Sequence, residues 1–144
     1  MAKRKRCVPS RRKIQAAIRR LRFEVAALDK EHEQIRARNQ EIWNMGDEDA
    51  PRMMSDEQEP LNRKHRLELT IAFLEEVLAL KKDIRAEKTA IEKRIGEIDK
   101  EIPALQRAKN ASEIDKKILT LRLEKSTLED DLQNIERAES YLGS

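Results

Sequence analysis

The chain has 144 residues, of which 41% are charged and only 3% aromatic, and it contains three Gly and four Pro. Such a composition is typical of long helices with narrow apolar stripes, and it excludes a wide aromatic core. The sequence therefore predicts an all-α fold. We expect long coiled-coil helices, either folded into an up-down-up three-helix bundle or assembled as an oligomeric coiled coil.

The net charge of +3 is very unevenly distributed along the chain. Residues 1–22 hold ten Lys and Arg and no Asp or Glu, whereas the other 122 residues hold 21 bases and 28 acids. We expect the N-terminal region, with a basic arm over residues 1–13, to contact nucleic acid or an acidic neighbouring protein. An anionic membrane surface and a nuclear-import receptor are alternative partners. The candidate nucleic-acid-binding residues are Lys3, Arg4, Lys5, Arg6, Arg11, Arg12, Lys13, Arg19, Arg20 and Arg22.

The first coiled-coil helix is predicted over residues 14–45. Apolar residues recur in steps of four and three from Ile14 to Ile42, which is the period of a left-handed coiled coil. A polar residue, Asn39, falls on this seam, where an Asn commonly sets the register of a parallel dimer. The predicted seam residues of this helix are Ile18, Leu21, Val25, Leu28, Ile35 and Asn39.

Residues 46–60 form a predicted acidic linker. Gly46 ends the first helix, two prolines follow, and six acids stand against one Arg. One Trp and three Met flank or occupy the linker. They are either an adaptable docking surface for a partner protein or the apolar closure of one end of the bundle. These candidate partner-binding residues are Trp43, Met45, Met53 and Met54.

The second coiled-coil helix is predicted over residues 61–102, with seam residues that include Leu67, Leu74 and Val77. Additional apolar residues between 67 and 80 indicate that more than one neighbouring helix covers this part. Pro103 and a change of phase predict a hinge or hairpin turn over 103–112. The third helix is predicted over 113–144, with Leu128, Leu132 and Ile135 on its seam.

The residues that usually carry catalysis or bind metals are scarce. Cys7 is the single cysteine, and the two histidines, His32 and His65, have no Cys nearby and no metal-ligand spacing. There is no glycine-rich phosphate loop. We expect no enzyme activity, catalytic residue, metal, cofactor or small-molecule substrate. No apolar run is longer than the four residues Ile71–Leu74, so we expect no membrane span and an intracellular, cytoplasmic protein, with the nucleus or a particle as alternatives.

Two classes of function fit these features. The first is a non-enzymatic scaffold or structural protein of a larger assembly, whose basic arm contacts nucleic acid or an acidic neighbour. The second is a soluble adaptor or export-type chaperone whose helical hairpin binds partner helices. A non-specific DNA-binding regulator has less support, because no recognition helix can be identified. The expected protein partners are further copies of this chain or other helical proteins.

Overall fold

The computed structural model describes residues 9–107 and 111–143, although not the side chains of residues 111 and 112. Lys3, Arg4, Lys5, Arg6 and Cys7 therefore lie outside the described residues. Every described element is a helix, which confirms the all-α prediction. The helices are α1 (Arg11–Asn44), α2 (Ala50–Met53), α3 (Gln58–Leu80), α4 (Ile84–Gln106) and α5 (Ala111–Tyr141).

The first helix begins at a side-chain cap. The Ser10 hydroxyl accepts a hydrogen bond from the backbone N–H of Lys13 at 3.2 Å, which satisfies one of the free donors of the first turn. After Met45 the chain turns at Gly46, whose φ of +69° is accessible to glycine at little cost. The 34 residues of α1 are about 50 Å long at about 1.5 Å per residue.

The α1 and α3 helices pack antiparallel along most of their length. Ion pairs mark the direction: Arg22 lies 2.7 Å from Glu75, whereas Glu31, farther along α1, lies 3.1 Å from Arg63, nearer the start of α3. The predicted linker 46–60 is shorter than expected, because it contains α2 and the first turn of α3. The exposed ion pairs between α1 and α3 each contribute at most about 1 kcal/mol to stability. Apolar burial between the two helices therefore supplies most of the stability.

The chain breaks at Lys81, which corrects the predicted single helix over 61–102. Lys81 adopts a left-handed conformation, with φ 50° and ψ 45°, and thereby ends α3. The Asp83 carboxylate then accepts a hydrogen bond from the backbone N–H of Ala86 at 3.1 Å and caps the start of α4. Asp favours such a cap over a helix interior, so a new helix starts where the apolar period alone indicates continuity.

The apolar core lies where α1, α3, α4 and α5 meet. Leu74 and Val77 of α3 are fully buried there, and Leu67, Ile71 and Phe73 pack against the same cluster. These residues belong to the segment 67–80, whose additional apolar side chains predict contact with more than one neighbouring helix. The other buried members of the cluster are Ile14, Ala17, Ile18, Leu21, Ile84, Ile135 and Ala138.

A buried polar contact aligns α5 with α3. The hydroxyl of Thr70, which is fully buried, lies 2.7 Å from Asn134 Oδ1 and accepts a hydrogen bond from Arg137 at 3.2 Å. The Asn134 amide donates to the carbonyl of Leu69 at 3.2 Å. A shift of α5 along α3 would leave these polar groups unpaired, so the contact sets their relative register.

The α4 and α5 helices form an antiparallel hairpin that leads away from the core. Lys88, near the start of α4, contacts Glu139 at 3.0 Å, whereas Arg94, farther along α4, contacts Glu124, nearer the start of α5, at 2.7 Å. The expected turn over 103–112 starts later than predicted, because α4 continues through Pro103 to Gln106. Pro103 lies in the last turn of the helix, where its missing N–H removes only one hydrogen bond.

Candidate nucleic-acid interface on the first helix

The cations at the start of α1 all lie outside its buried stripe. Ile14, Ala17, Ile18 and Leu21 face the core, and this orients the remaining side chains of the first three turns toward solvent. The exposed cations are Arg11, Arg12, Lys13, Arg19, Arg20 and Arg22, and we call these six residues the basic end.

Most of the basic end makes no ion pair with another described residue. Arg22 contacts Glu75 at 2.7 Å, but Arg11, Arg12 and Lys13 have no carboxylate partner within the described parts of the chain. Arg19 makes only a weak contact of 3.5 Å with the carbonyl of Gln15. Unpaired like charges repel one another, so a bound polyanion would lower the electrostatic energy of this surface.

The backbone adds to this positive potential. The first turn of α1 contains no acidic residue, although the N-terminus of a helix is the positive end of its dipole. Ile14 and Ile84 share one apolar cluster, which places the α3–α4 connection at the same end of the molecule. Exposed Lys81 in that connection therefore adds a cation that sequence patterns could not assign to this end.

Tyr141 of α5 contacts two residues of α1, Arg20 of the basic end and Glu24 one turn farther along. The guanidinium of Arg20 lies over its ring, 5.5 Å from the centroid, and its hydroxyl donates a hydrogen bond to the carboxylate of Glu24. Burial, followed by the hydrogen bond to Glu24, raises the pKa of Tyr141 to about 12. Glu24 is the first acid in the sequence, and here it binds the tyrosine rather than a cation of the basic end.

The predicted seam residues pack within the chain. Val25, Ile35, Leu67, Leu128 and Leu132 are half-buried. The buried seam residues are Ile18, Leu21, Leu28, Asn39, Leu74, Val77 and Ile135.

Asn39 has an intrachain partner rather than a facing Asn of a parallel dimer. Its amide donates to the carbonyl of Ser55 at 2.8 Å, and its carbonyl accepts from the Ser55 N–H at 2.9 Å. The α1 seam lies against α3 of the same chain, which leaves the parallel dimer through helix 1 without its predicted interface.

The candidate partner-binding residues lie at the opposite end of α1 from the basic end. Trp43, Met45 and Met53 are 60%, 79% and 55% exposed, and Met54 is half-buried. They do not close the α1–α3 hairpin with an apolar layer, because three of the four side chains face solvent.

Neither a metal cluster nor a membrane-spanning helix was found in the described parts of the chain. No group of three or more His, Cys, Asp or Glu side chains within 9–107 and 111–143 is arranged to hold a metal ion. None of the described helices is both long and apolar enough to cross a bilayer.

Comparison with models of known protein families finds no match, and comparisons with curated proteins and with solved structures find none either.

Proposed function

We propose that the protein is a non-enzymatic helical scaffold that binds the phosphate backbone of nucleic acid through its basic end. One observation carries the proposal: six exposed cations occupy twelve residues of one helix that contain no acid, and Arg11, Arg12 and Lys13 have no ionic partner in the described chain. Lys3, Arg4, Lys5 and Arg6 precede them in the sequence and extend the run of positive charge.

The chemistry of these side chains favours phosphate over bases. Arg and Lys pair readily with phosphate oxygens, and neutralising several phosphates releases counterions and drives binding. The buried stripe of α1 packs on α3 and α5, so the first three turns of the helix turn their cations toward solvent. Binding through that face is independent of base sequence, since phosphate contacts position a protein without reading bases.

The architecture supports a scaffold role. The α1–α3 hairpin and the α4–α5 hairpin diverge from one shared core, and α1 alone is about 50 Å long. Such extended helices hold the basic end at a set distance from surfaces on the other ends of the molecule. The proposed location is an intracellular compartment or particle that contains nucleic acid.

The proposal is tested by fluorescence anisotropy of a labelled DNA duplex titrated with the full-length protein. The triple variant Arg11→Gln, Arg12→Gln, Lys13→Gln should bind at least about tenfold more weakly, because it loses three phosphate-pairing cations. Gln is a good helix former, and the Ser10 cap uses the backbone N–H of Lys13, so α1 should still begin at the same residue.

A matched control removes the same charge elsewhere on α1. Lys30, Arg36 and Arg38 are exposed on the distal half of the helix, where acids are interspersed among them. The triple variant Lys30→Gln, Arg36→Gln, Arg38→Gln should retain nearly wild-type affinity. Equal losses in the two variants would mean that net charge, rather than the basic end, controls binding and would overturn the proposal.

A further inference from the structure

The far end of the α1–α3 hairpin exposes large apolar side chains. Trp43 is 60% exposed, Met45 79% and Met53 55%, all within eleven residues of the chain. Exposed Trp and Met at one place on a highly charged protein are typical of a docking surface, because Trp anchors contacts and Met adapts to them. We call residues 43–57, which include these three side chains, the distal end.

Local hydrogen bonds hold the distal end in one conformation. Asn39 pairs with both backbone groups of Ser55, and Ala50 of the short α2 is buried. The Asp47 carboxylate accepts from the N–H of Asp49 at 3.1 Å, and Asp56 accepts from the N–H of Gln58 at 2.9 Å. The exposed apolar side chains are therefore presented on an ordered segment and are ready for a partner.

The charge of the distal end selects a cationic partner. The carboxylates of Asp47, Glu48, Asp49 and Asp56 form no salt bridge within residues 9–107 and 111–143. Arg52 is the one cation between residues 46 and 60, against six acids. An exposed Trp ring also favours a cation, since Arg or Lys binds over its face.

We propose that the distal end of one molecule binds the N-terminal basic region of a second copy of this chain, so that molecules associate head to tail. Residues 1–22 carry +10 without an acid, which complements the −5 of residues 46–60. The apolar side chain of Leu80 is 63% exposed at the end of α3, beside the basic end, and matches the apolar content of the distal end.

Geometry rules out the same contact within one molecule. The two ends are separated by the length of α1, about 50 Å at about 1.5 Å per residue. The ten residues that precede α1 reach at most about 36 Å, even when fully extended. The basic region therefore meets the distal end of another copy, and because the two surfaces differ, the contact repeats along a row of molecules.

Head-to-tail association uses the same cations as the proposed nucleic-acid binding, so it rests on that proposed function for its biological meaning. A molecule whose basic end contacts phosphates cannot offer it to the distal end of a neighbour. Nucleic acid and the distal end of a neighbouring molecule therefore compete for the basic end. The fraction of basic ends that binds each partner depends on the concentrations of nucleic acid and of protein.

The first test measures molar mass by light scattering on full-length protein free of nucleic acid. At about 50 mM salt the mass should rise above the monomer with protein concentration, and at about 500 mM salt it should fall to the monomer, because salt screens the charges. A monomer at every concentration in low salt would overturn this inference. Duplex binding by that same monomer would leave the proposed function intact.

Charge-swapped variants test the contact itself. Copies with Asp47→Lys, Glu48→Lys, Asp49→Lys and copies with Arg11→Glu, Arg12→Glu, Lys13→Glu should each associate more weakly alone than the wild type. Mixed together they should form a dimer, since the unchanged basic end of the first variant can bind the unchanged distal end of the second. No mass increase in the mixture, with both variants helical by circular dichroism, would contradict the head-to-tail contact.

Two variants with neutralised acids distinguish the head-to-tail contact from the proposed nucleic-acid binding. The variant Asp47→Asn, Glu48→Gln, Asp49→Asn should self-associate at least about tenfold more weakly while binding duplex DNA at least as well as wild type, because self-association competes for the same cations. The control Asp115→Asn, Asp130→Asn, Asp131→Asn removes three exposed acids from α5 and should associate like wild type. Equal association of these two variants would overturn the inference.

Discussion

The side chain of Asn39 pairs with the backbone of Ser55 as one peptide group pairs with another. Asn39 Nδ2 donates to the Ser55 carbonyl at 2.8 Å, and the Ser55 N–H donates to Asn39 Oδ1 at 2.9 Å. Asn39 is only 2% exposed, so these bonds are shielded from water. They attach the connection between α1 and α3 to the side of α1 and keep the distal end ordered.

Replacing this amide should destabilise the protein rather than change its oligomeric state. We expect Asn39→Ala to lower the free energy of unfolding by about 1–3 kcal/mol, because the two hydrogen bonds that the buried Asn39 amide makes with the backbone of Ser55 are lost. Urea unfolding followed by circular dichroism measures the change. The neighbouring exposed Gln40→Ala should shift it by less than about 0.5 kcal/mol. A changed molar mass with unchanged stability would instead indicate that Asn39 sets the register of an oligomer.

Two Gly→Ala substitutions should have opposite effects on stability. An added Cβ meets no atom within 4 Å at either Gly46 or Gly96, so packing does not distinguish them. Gly46 has a φ of +69°, where Ala is strained, and Gly46→Ala should destabilise by about 1 kcal/mol. Gly96 lies on an exposed face in the middle of α4, and Gly96→Ala should stabilise the protein by about 1 kcal/mol. Urea midpoints that move in the same direction would contradict the assigned backbone conformations.

The single tyrosine of the chain should titrate at unusually high pH. Burial and the hydrogen bond to Glu24 raise the pKa of Tyr141 from 10.0 to about 12. Since the folded pKa is raised, the stabilisation from this group is complete below about pH 10 and is lost as the pH rises through about 12. Absorbance of the tyrosinate band measures the midpoint directly, because the chain has no other Tyr.

A substitution at Glu24 tests how much the hydrogen bond contributes to the raised pKa of Tyr141. Glu24→Gln removes the charged acceptor and should lower the midpoint, without restoring the ordinary pKa, because burial is the larger cause. The exposed Glu33→Gln on the same helix serves as a control and should leave it unchanged. A wild-type midpoint near 10 would show that α5 does not dock against α1 as described.

Removing the buried hydroxyl of Thr70 should weaken the attachment of α5 to α3. Thr70→Val keeps the shape of the side chain but leaves Asn134 and Arg137 without one of their partners. The expected loss of unfolding free energy is about 1–3 kcal/mol. The matched control is Thr89→Val, since Thr89 is exposed and bonds only the carbonyl of Arg85 in its own helix. Similar losses for both variants would argue against a register role for Thr70.

Sequence periodicity predicts where the helices are apolar, but not where they are interrupted. The stripe from Ile14 to Ile42 gives α1 to within a few residues of its bounds, since a buried face repeats with the turns of the helix. The break at Lys81 leaves the period almost intact. It depends on a single left-handed residue and on the Asp83 cap, which short-range patterns do not distinguish from a solvent-exposed helix face.

The candidate interface was predictable only in part, for a similar reason. The absence of acids before Glu24 identifies the cations at the start of α1. The role of Tyr141 depends on contacts between residues more than a hundred positions apart, which exist only because α5 returns to α1. The apolar period places Asn39 on the buried stripe of α1, but its partner follows from how the α1–α3 connection folds back.

The salt dependence of duplex binding tests the central claim most directly. The logarithm of the binding constant should fall linearly with the logarithm of salt concentration, by about 0.9 for each phosphate neutralised, and equally for duplexes of different sequence. The variant Arg11→Gln, Arg12→Gln, Lys13→Gln should reduce that slope by up to about 2.7, because three phosphate contacts are lost. A slope that is unchanged in this variant would contradict binding through the basic end.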